Sequence, residues 1–583
     1  MLETVVHFTH EAGFKVGGIG AVLDGLLGSS AYVEAVPRTV VVGPFNRYNG
    51  DEMDRMLAPR NKLTVLYSPL LGVDLVDPEV AERLRGVETD YGVALLYGRR
   101  VFGAAEHEVL LVDATFAAPE RIHDFKFFVW QRYGLDSGRY DQFHEFNLYM
   151  KMAQATFAAV RSLLGDQQGE RIIVAHEWMG LPLVFAAQLN EPQAWKTIFY
   201  AHEMATARNL VEEHGGHDTR FYNALFAAQR EGRSLEEVFG EQSHFYKHPL
   251  IRQAIHCTNI FAVGDLVVSE LRFLGGTFAW KNIDLVYTGV VPMTVNLEDK
   301  YASKRKLQQY TANLMGYWPD YVFTHVARLV VSKGMWRDLR VIEHLDHMLA
   351  SEGKRAVLFV VATAVPTGRR LEDVRHWEYQ YGWPVGHRGD NGDLVGQEVS
   401  FFFDGIDRFN QGSQAVKAVL VNQFGWNQER CGYRMPADME FIDLRRGSDL
   451  EFGQSVYEPF GIAQVEPLGA GAVTVMSNVC GCVGFMERAA AGSELPNLVV
   501  ADYVGVPPSY NIWSAHDALR IDQGMRDHIE RTNSYGVALR IFKRLPTNDV
   551  ETERLLARGQ EIAARMSWDV VVRDYLLPGL DRP

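Results

Sequence analysis

Short β-branched runs alternate with helix-length amphipathic segments along most of the chain. In the first half, the runs predicted to be strands are TVVHF, RTVVVGP, EVLLVDA, RIIVAHE, WKTIFYA, NIFAVGD and IDLVYTG. Between them, FNLYMKMAQATFAAVRSLL has the apolar spacing of a buried helix. Strands that alternate with helices in this way are typical of repeated βαβ units, so the fold class predicted here is α/β with a parallel sheet.

A second series of such runs begins at Tyr321 and predicts a second sheet: YVFTHVAR, AVLFVVATAV, ADMEFIDL, GAVTVMSN and NLVVADY. The Gly- and Pro-containing YTGVVPM interrupts the pattern between the two series. We therefore predict two doubly wound domains, residues 1–288 and 289–559. The charged, Gly-rich stretch 366–432 predicts a partly helical insertion with an amphipathic helix around 397–409. The apolar spacing near the end predicts a helix within 560–583 that packs back across the domain junction.

Composition narrows the class of partner. A chain of 583 residues exceeds the size at which one core keeps growing, which agrees with two domains. The formal charge of -15 argues against a broad nucleic-acid or anionic-membrane surface. No apolar run is long enough to span a bilayer, and MLETVVHF lacks the features of a signal peptide. With four cysteines and no CxxC pair, we expect a cytoplasmic protein with reduced thiols.

The first chemical motif follows the first predicted strand. In VVHFTHEAGFKVGGIGAVLDGLL, Lys15, Gly17 and Gly18 precede an apolar helix, where bare N–H groups and a cation can bind a diphosphate. The motif is neither a Walker A loop nor a GxGxxG fingerprint. The alternative is a Gly-rich turn that merely lets the helix pack against the sheet.

The second domain carries two further motifs. Arg328 and Lys333 follow its first predicted strand, where α/β sheets bind ligands, and could neutralise a diphosphate. Glu458 and Glu466 stand eight positions apart in SVYEPFGIAQVEPLGAGA, around a glycine-punctuated helix start, so the spacing places them near one face of a helix. Alternatively, Arg328 and Lys333 are ordinary surface cations. The alternative for Glu458 and Glu466 is an ordinary helix with one solvated and one capping glutamate.

Histidines follow two strands of the first domain. His176 begins a His-Glu-Trp triplet after RIIVA, and His202 begins His-Glu-x4-Arg208 after TIFYA. Both sets are expected on the same rim of the sheet, where a histidine can bind a sugar hydroxyl or a phosphate. A structural histidine at a strand end is the alternative. The triplet lacks the HExxH spacing of a zinc site.

Taken together, KVGGIG, AHEW, AHEMATAR, ARLVVSKG and YEPFGIAQVEPLGAGA resemble the retaining glycosyltransferases of the glycogen and starch synthase group, in the group's order. The sequence is most similar to the animal and fungal glycogen synthase family, from about Phe8 to Met486. The resemblance implies a GT-B fold, in which two Rossmann-like domains flank a cleft. It implies transfer of glucose from UDP-glucose, or from ADP-glucose, to the non-reducing end of an α-1,4-glucan.

The resemblance also implies individual roles. Lys15, Gly17 and Gly18 would approach the donor from the first domain, and His176 and Arg208 would face its sugar and phosphate. The residues implied to bind the donor from the second domain are Arg328 and Lys333 at the diphosphate, Glu458 at the transferred sugar, Glu466 at the ribose, and Gly461 beside them. Arg328, Lys333, Glu458 and His176 are the implied catalytic residues.

No metal and no other cofactor are expected, because cations and helix N-termini can stabilise the leaving diphosphate and no Asp-X-Asp motif occurs. Tyr287-Thr288-Gly289 stands where the family has Pro-Asn-Gly, and the tail lacks the family's dense arginine helix. Donor-base preference, sugar-phosphate activation and homo-oligomer formation therefore stay open. Two alternatives also stay open, a GT-B enzyme that makes a disaccharide or small glucoside, and a non-catalytic protein that binds glucan or nucleotide.

Overall fold

The computed structural model describes residues 2–165 and 169–582, which form two compact units. The first unit comprises Met1–Thr206, Arg233–Gly289 and Trp568–Pro583, and the second comprises Ala207–Gly232 and Val290–Ser567. Each unit is built on one sheet. Among the residues that the structure describes, no helix is long and apolar enough to cross a membrane.

The first sheet has ten strands in the order β10-β9-β8-β7-β1-β2-β6-β5-β3-β4. Strands β10 to β6 of this order run parallel, whereas β5, β3 and β4 continue the sheet by antiparallel pairing. The switch point of the parallel part lies between β1 and β7, where successive strands diverge to opposite sides. In chain order, the ten strands β1 to β10 are Leu2–Phe8, Arg38–Pro44, Leu63–Ser68, Val73–Asp74, Ala94–Phe102, Ala105–Asp113, Glu170–His176, Lys196–Ala201, Asn259–Ala262 and Ile283–Leu285.

The second sheet has six parallel strands in the order β13-β12-β11-β14-β15-β16, which is the Rossmann order with its switch point between β11 and β14. Neighbouring residues of β11 enter different cores: Phe323 packs in one apolar cluster and Val322 in another. The sheet is therefore covered on both faces, as in a doubly wound domain. In chain order, its strands β11 to β16 are Tyr321–Val326, Ala356–Val361, Val416–Val421, Leu450–Gly453, Val473–Ser477 and Leu498–Ala501.

Helices connect the strands of both units. In the second unit, Leu297–Met315 shows why such a helix forms: Asn296 and Asp299 make a capping box at its start, and Gly316 adopts a left-handed conformation at its end. Helices of the first unit are Gly18–Leu27, Ser30–Ala35, Gly50–Leu57, Pro78–Tyr91, Pro119–Tyr133, His144–Leu164, Leu181–Asn190, Leu235–Phe239, Lys247–Arg252, Asp265–Phe273, Trp568–Val571 and Leu577–Leu580, whereas Ala205–Glu212 begins in the first unit and lies mostly in the second. Those of the second unit are His217–Glu231, Leu297–Met315, Trp336–Ser351, Leu371–Tyr381, Gln397–Ser400, Arg408–Gly412, Gln428–Cys431, Phe441–Gly447, Ile462–Val465, Cys482–Ala490, Ala515–Ala518, Gln523–Phe542 and Asp549–Arg565.

The α/β class with two doubly wound sheets is confirmed, and every predicted run except ADMEFIDL contains a strand. The ADMEFIDL prediction is wrong, because Glu440 and Asp443 form a capping box that starts a helix at Phe441. Strands β3, β4, β5, β13 and β14 were not predicted. Since β13 pairs with β12, part of the stretch 366–432 belongs to the sheet and is not an insertion. The amphipathic helix around 397–409 is present as Gln397–Ser400 and the π-helix Phe401–Asp407 that follows it.

Two segments lie in a different unit from the one that their sequence position predicts. Residues 207–232, predicted in the first domain, belong to the second unit, where Thr219 and Asn223 donate hydrogen bonds to the carbonyls of Tyr503 and Val504. The chain returns to the first unit at Trp568, later than the predicted 560. There Asp569 accepts hydrogen bonds from the Ser30 hydroxyl and the Ala31 N–H.

Candidate functional site

An ion pair joins the two loops at the switch point of the second sheet. Lys333 lies in the loop after β11 and Glu458 in the loop after β14, and the Lys333 ammonium contacts Glu458 Oε2. Both side chains are mostly buried, at 20% and 10% exposure. Because α/β sheets bind ligands outside the carboxyl ends of the strands at this point, the pair occupies the position where a ligand is expected.

Backbone contacts hold this pair in place. The carbonyl of Ser332 accepts hydrogen bonds from the N–H groups of Val456 and Tyr457, at 2.8 and 3.2 Å. The Ser455 hydroxyl lies 3.3 Å from Glu458 Oε2. Gly334 has a φ of +57°, and a Cβ there would approach the Gln454 carbonyl oxygen to 2.5 Å. The two loops are therefore fastened to each other along several residues.

The two glutamates of the EPFGIAQVE motif do not share a helix face. Glu458 precedes the helix Ile462–Val465 and forms an isolated parallel bridge with Cys480, whereas Glu466 begins a 3₁₀ turn after that helix. The spacing argument was wrong because Gly461, with a φ of +99°, breaks the helical path between them. A Cβ on Gly461 would lie 2.8 Å from Cys480 Sγ, so glycine is required there on two counts.

Glu466 has a partner that the sequence analysis missed. Arg445 Nη2 lies 2.6 Å from Glu466 Oε2, and Arg445 Nη1 lies 3.3 Å from Glu451 Oε1. The guanidinium also lies 5.2 Å from the ring centre of Phe441, which is 45% exposed. Glu466, Glu451 and Phe441, the three partners of Arg445, all belong to the second unit. The sequence analysis did not single out Arg445, which directly follows the run ADMEFIDL that was predicted as a strand.

Arg328 and Arg208, which were also predicted to bind the donor, both lie in the second unit. Arg328 is exposed in the loop after β11. Arg208 Nε lies 3.0 Å from Glu212 Oε1 within their own helix, so this part of its guanidinium is engaged by an i,i+4 ion pair.

A buried arginine fastens several elements of the second unit behind the Lys333–Glu458 pair. Arg337, which is 0% exposed, binds Asp218 Oδ1 at 2.6 Å and Glu530 Oε1 at 2.8 Å. Its remaining nitrogen lies 3.2 and 3.1 Å from the carbonyls of Gln454 and Ser455. These carbonyls begin the loop that carries Glu458, so the Arg337 network holds that loop in place.

In the first unit, the glycine-rich loop binds a carboxylate of the chain itself. The N–H groups of Val16 and Gly17 both lie 2.6 Å from Glu11 Oε2, and Glu11 is buried. Lys15 lies 3.2 Å from Asp24 and is half exposed, while Gly18 has open space at its Cβ position. The Gly17 N–H that was assigned to a diphosphate is thus taken by Glu11 in this structure. These N–H groups therefore bind a carboxylate of the chain, and binding of a diphosphate by this loop stays a prediction.

His176 belongs to a buried chain of histidines across the switch point of the first sheet. Its Nε2 lies 2.9 Å from His7 Nδ1, and its Nδ1 lies 2.8 Å from His202 Nε2. Because the His176 ring is fully buried and both of its nitrogens are engaged, it has no nitrogen left for a ligand. The alternative of a structural histidine, which the sequence left open, describes His176 better than direct contact with sugar.

Glu177, beside His176, is a strained and buried carboxylate. Its φ of +66° is unusual for any residue but glycine, and its Oε1 accepts the N–H groups of His202 and Glu203 at 2.6 and 2.8 Å. Its Oε2 is buried without a hydrogen-bond partner among the described residues. Burial and the Glu203 charge raise the pKa of Glu177 to about 8. Glu177 therefore ties the loop after β7 to the loop after β8.

The buried histidines predict an acid-sensitive fold. Burial lowers the pKa of His7 to about 3 and that of His176 well below 6.5. Their neutral forms are favoured in the folded state, so the stabilisation is present above pH 6.5 and is lost as the pH falls from 6.5 toward 3. At pH 5 His7 should cost about 2 kcal/mol of the unfolding free energy, and protonation of His176 should add to this loss.

Urea unfolding at pH 7.5 and pH 5 measures this loss. His7→Gln removes one of the buried histidines with a lowered pKa, so its unfolding free energy should fall less between the two pH values than that of the unaltered protein. Equal losses in the two proteins would show that His7 takes up its proton as readily in the folded as in the unfolded state.

Within the described part of the chain, no group of three or more His, Cys, Asp or Glu side chains is placed to hold a metal ion. Independence from metal stays a prediction.

Comparison with known proteins gives a likeness of fold. No protein-family model and no curated protein matches the chain. Among solved structures it is similar to the N-terminal domain of trehalose-6-phosphate phosphatase from Candida albicans, with a TM-score of 0.51 and 11% identity over 100% of this chain and 97% of that one. The fold is shared. At this identity nothing about activity follows from it.

Two weaker likenesses span the chain as well. The catalytic domain of starch synthase IV from Arabidopsis thaliana, bound to ADP and acarbose, has a TM-score of 0.46 and 14% identity over 98% of this chain and 100% of that one. An α,α-trehalose-phosphate synthase from Burkholderia xenovorans, in complex with glucose-6-phosphate, has a TM-score of 0.46 and 11% identity over 98% of this chain and 97% of that one. Both scores are too low to support an argument about this chain.

Proposed function

We propose that the protein is a retaining glycosyltransferase that moves glucose from a nucleoside-diphosphate glucose to an α-1,4-glucan. UDP-glucose is the favoured donor, and ADP-glucose is the other. The observation that carries the proposal is the contact between Lys333 and Glu458 at the switch point of the second sheet. It joins a cation and a carboxylate from two loops where a Rossmann-like sheet binds its ligand.

The chemistry of the transfer accounts for this combination. Departure of a nucleoside diphosphate places negative charge on the leaving group and positive charge on the anomeric carbon. Lys333, with the exposed Arg328 in the same loop, would stabilise the leaving diphosphate. Glu458, when Lys333 turns to the diphosphate, would bind the hydroxyls of the transferred sugar or stabilise its positive charge. The same residues would thus act more strongly on the transition state than on the substrate.

Glu466, Arg445 and Phe441 would bind the nucleoside. Glu466 can accept hydrogen bonds from the ribose hydroxyls with the oxygen that Arg445 does not hold. The exposed ring of Phe441 offers an apolar face on which a nucleobase can stack. An exposed aromatic side chain beside a fixed carboxylate suits a nucleoside better than it suits an unmodified sugar phosphate.

Transfer assays with a panel of acceptors test the proposed function. The purified protein is incubated with radiolabelled UDP-glucose or ADP-glucose and glycogen, maltooligosaccharides, glucose or glucose 6-phosphate, and product size is followed. Label in glucan is expected. Label only in a disaccharide would move the assignment to a small acceptor, and donor binding without transfer would leave a binding protein.

Phe441→Ala is expected to raise the KM for the nucleotide sugar by roughly 5- to 100-fold, because stacking on an aromatic ring contributes about 1–3 kcal/mol per base. The kcat should stay within about threefold of the unaltered value, since the ring does not touch the reacting atoms. Exposed Tyr379, which is 92% exposed in the same unit, gives the matched control Tyr379→Ala with an unchanged KM. A Phe441→Ala protein with the normal KM would refute the nucleoside assignment.

A further inference from the structure

We propose that Tyr32, His7 and His176 are positioning residues that fix the proton of His202, the partly exposed histidine at the end of their hydrogen-bonded chain, on its Nδ1. The proposal deepens the proposed function and rests on it for the identity of the ligand, a sugar hydroxyl. The hydrogen-bonded chain itself is a property of the fold.

The chain runs without a break from β2 to the loop after β8. Thr39 Oγ1 lies 3.0 Å from the Tyr32 hydroxyl, which lies 2.8 Å from His7 Nε2. His7 Nδ1 lies 2.9 Å from His176 Nε2, and His176 Nδ1 lies 2.8 Å from His202 Nε2. The first four side chains are buried, whereas His202 is partly exposed. His202 is therefore the end of the chain that a ligand can reach.

The imidazoles of the chain are neutral at physiological pH. Burial lowers the pKa of His7 and of His202 to about 3, and that of His176 well below 6.5. The neighbouring titratable groups do not reverse this shift. His107 and Tyr32 lie beside His7, His10 lies beside His176 and His202, and the Tyr200 ring lies 4.4 Å from the His202 ring at an interplanar angle of 34°. A neutral imidazole has one N–H donor and one acceptor nitrogen, so every hydrogen bond in the chain must point the same way.

The Tyr32 phenol sets the direction. A phenol donates to an imidazole nitrogen more strongly than it accepts from one, and burial raises the pKa of Tyr32, which keeps its proton in place. When Tyr32 donates to His7 Nε2, His7 carries its proton on Nδ1 and donates to His176 Nε2. By the same rule His176 donates from Nδ1 to His202 Nε2. His202 is left with its proton on Nδ1, where no described residue accepts it.

The backbone of His202 is fixed as firmly as its ring. Glu177 Oε1 accepts the N–H groups of His202 and Glu203, and the His202 ring stacks on His176 with a centroid distance of 5.1 Å and an interplanar angle of 11°. A donor held in this way loses little conformational freedom when it binds a hydroxyl. The strained backbone of Glu177 is the cost of holding the loop in this position.

Nuclear magnetic resonance of the histidine ring nitrogens tests the chain without any assay of activity. In protein labelled with ¹⁵N-histidine, His7, His176 and His202 should each be protonated on Nδ1 and should not titrate between pH 5.5 and 8. Signals are assigned by their loss in His7→Gln and His202→Gln. An Nε2-protonated His202, or one that titrates near pH 6.5, would overturn the proposal whether or not the protein transfers sugar.

Kinetics of Tyr32→Phe test the positioning role. The substitution keeps the buried ring and removes the hydroxyl that orients the chain, so kcat should fall about 5- to 30-fold while the KM for the donor stays within about twofold. His7→Gln should keep most of the activity, because its Oε1 can accept from Tyr32 and its Nε2 can donate to His176.

Tyr140→Phe is the matched control, since the Tyr140 hydroxyl donates to the Ser243 carbonyl outside the chain. Its kcat should be unchanged. His7→Leu can form neither hydrogen bond and serves as the comparison for His7→Gln. If Tyr32→Phe has the kcat of Tyr140→Phe, or if His7→Gln loses as much kcat as His7→Leu, the histidines have only a structural role. If the unaltered protein transfers no sugar but its histidines have the predicted protonation, the proposed function fails and the chain stands.

Discussion

Lys333→Ala and Glu458→Gln are each expected to lower kcat/KM for glucosyl transfer by roughly 10²- to 10³-fold, the loss typical of removing one group that stabilises developing charge. Lys333→Ala removes the cation that meets the leaving diphosphate. Glu458→Gln keeps the size of the side chain and removes its charge. Steady-state kinetics with the donor and acceptor that the panel identifies measure both effects.

Lys354→Ala is the control for general changes in charge, because Lys354 pairs with Asp320 at the surface, where the two side chains are 47% and 36% exposed. Its kinetics should be unchanged. The unfolding free energies of Lys333→Ala and Glu458→Gln should stay within about 1 kcal/mol of the unaltered protein if their role is chemical. Normal kcat/KM, or a loss explained entirely by unfolding, would contradict the role assigned to the pair.

Arg337→Met is expected to have the largest effect on stability, about 3–5 kcal/mol, because it leaves Asp218 and Glu530 buried without their shared cation. Asp218 is 0% exposed and loses its ion-pair partner, so in the variant it would favour its protonated form, whereas Glu530 keeps its ion pairs with Arg340 and Arg526. A raised carboxyl pKa means that the variant should recover stability, relative to the unaltered protein, as the pH falls from 7.5 to 5.5.

Arg370→Met supplies the same chemical change at the surface. Arg370 pairs with Asp373 at i,i+3, and its side chain is 80% exposed, so its unfolding free energy should change by less than about 0.5 kcal/mol. Chemical unfolding of both variants at the two pH values gives the comparison. Equal stability of Arg337→Met and Arg370→Met would show that the buried network contributes nothing beyond an exposed pair.

Hydrophobic patterning predicted the sheets well, because strands buried on both faces form near-continuous apolar runs such as AVLFVV. The prediction failed where a strand and a helix have the same pattern of apolar residues. The run ADMEFIDL has the composition of a strand, but the Glu440–Asp443 capping box makes its second half a helix. The shorter LEFG, which is the true strand β14, gave too little signal on its own.

Residue spacing identified the candidate site but not its internal geometry. Lys333 and Glu458 were predicted separately and meet in the structure, because both follow strands that border one switch point. The helix-face argument for Glu458 and Glu466 failed at Gly461, whose positive φ a sequence count cannot show. His202 was predicted on the same rim as His176, and the structure joins the two rings by a hydrogen bond. Arg445 and His7 were not predicted as parts of a site, because their partners come from distant parts of the chain.

The anomeric configuration of the product tests the central claim most directly. The protein is incubated with UDP-[¹³C]glucose and the acceptor from the panel, and the anomeric signal of the transferred glucose is followed by nuclear magnetic resonance. We predict that UDP is released together with a new α-linked glucosyl residue, and that both signals form roughly 10²- to 10³-fold more slowly with Glu458→Gln. A β-linked product, or free glucose in place of a glucoside, would contradict retaining transfer by the second unit's Lys333–Glu458 site.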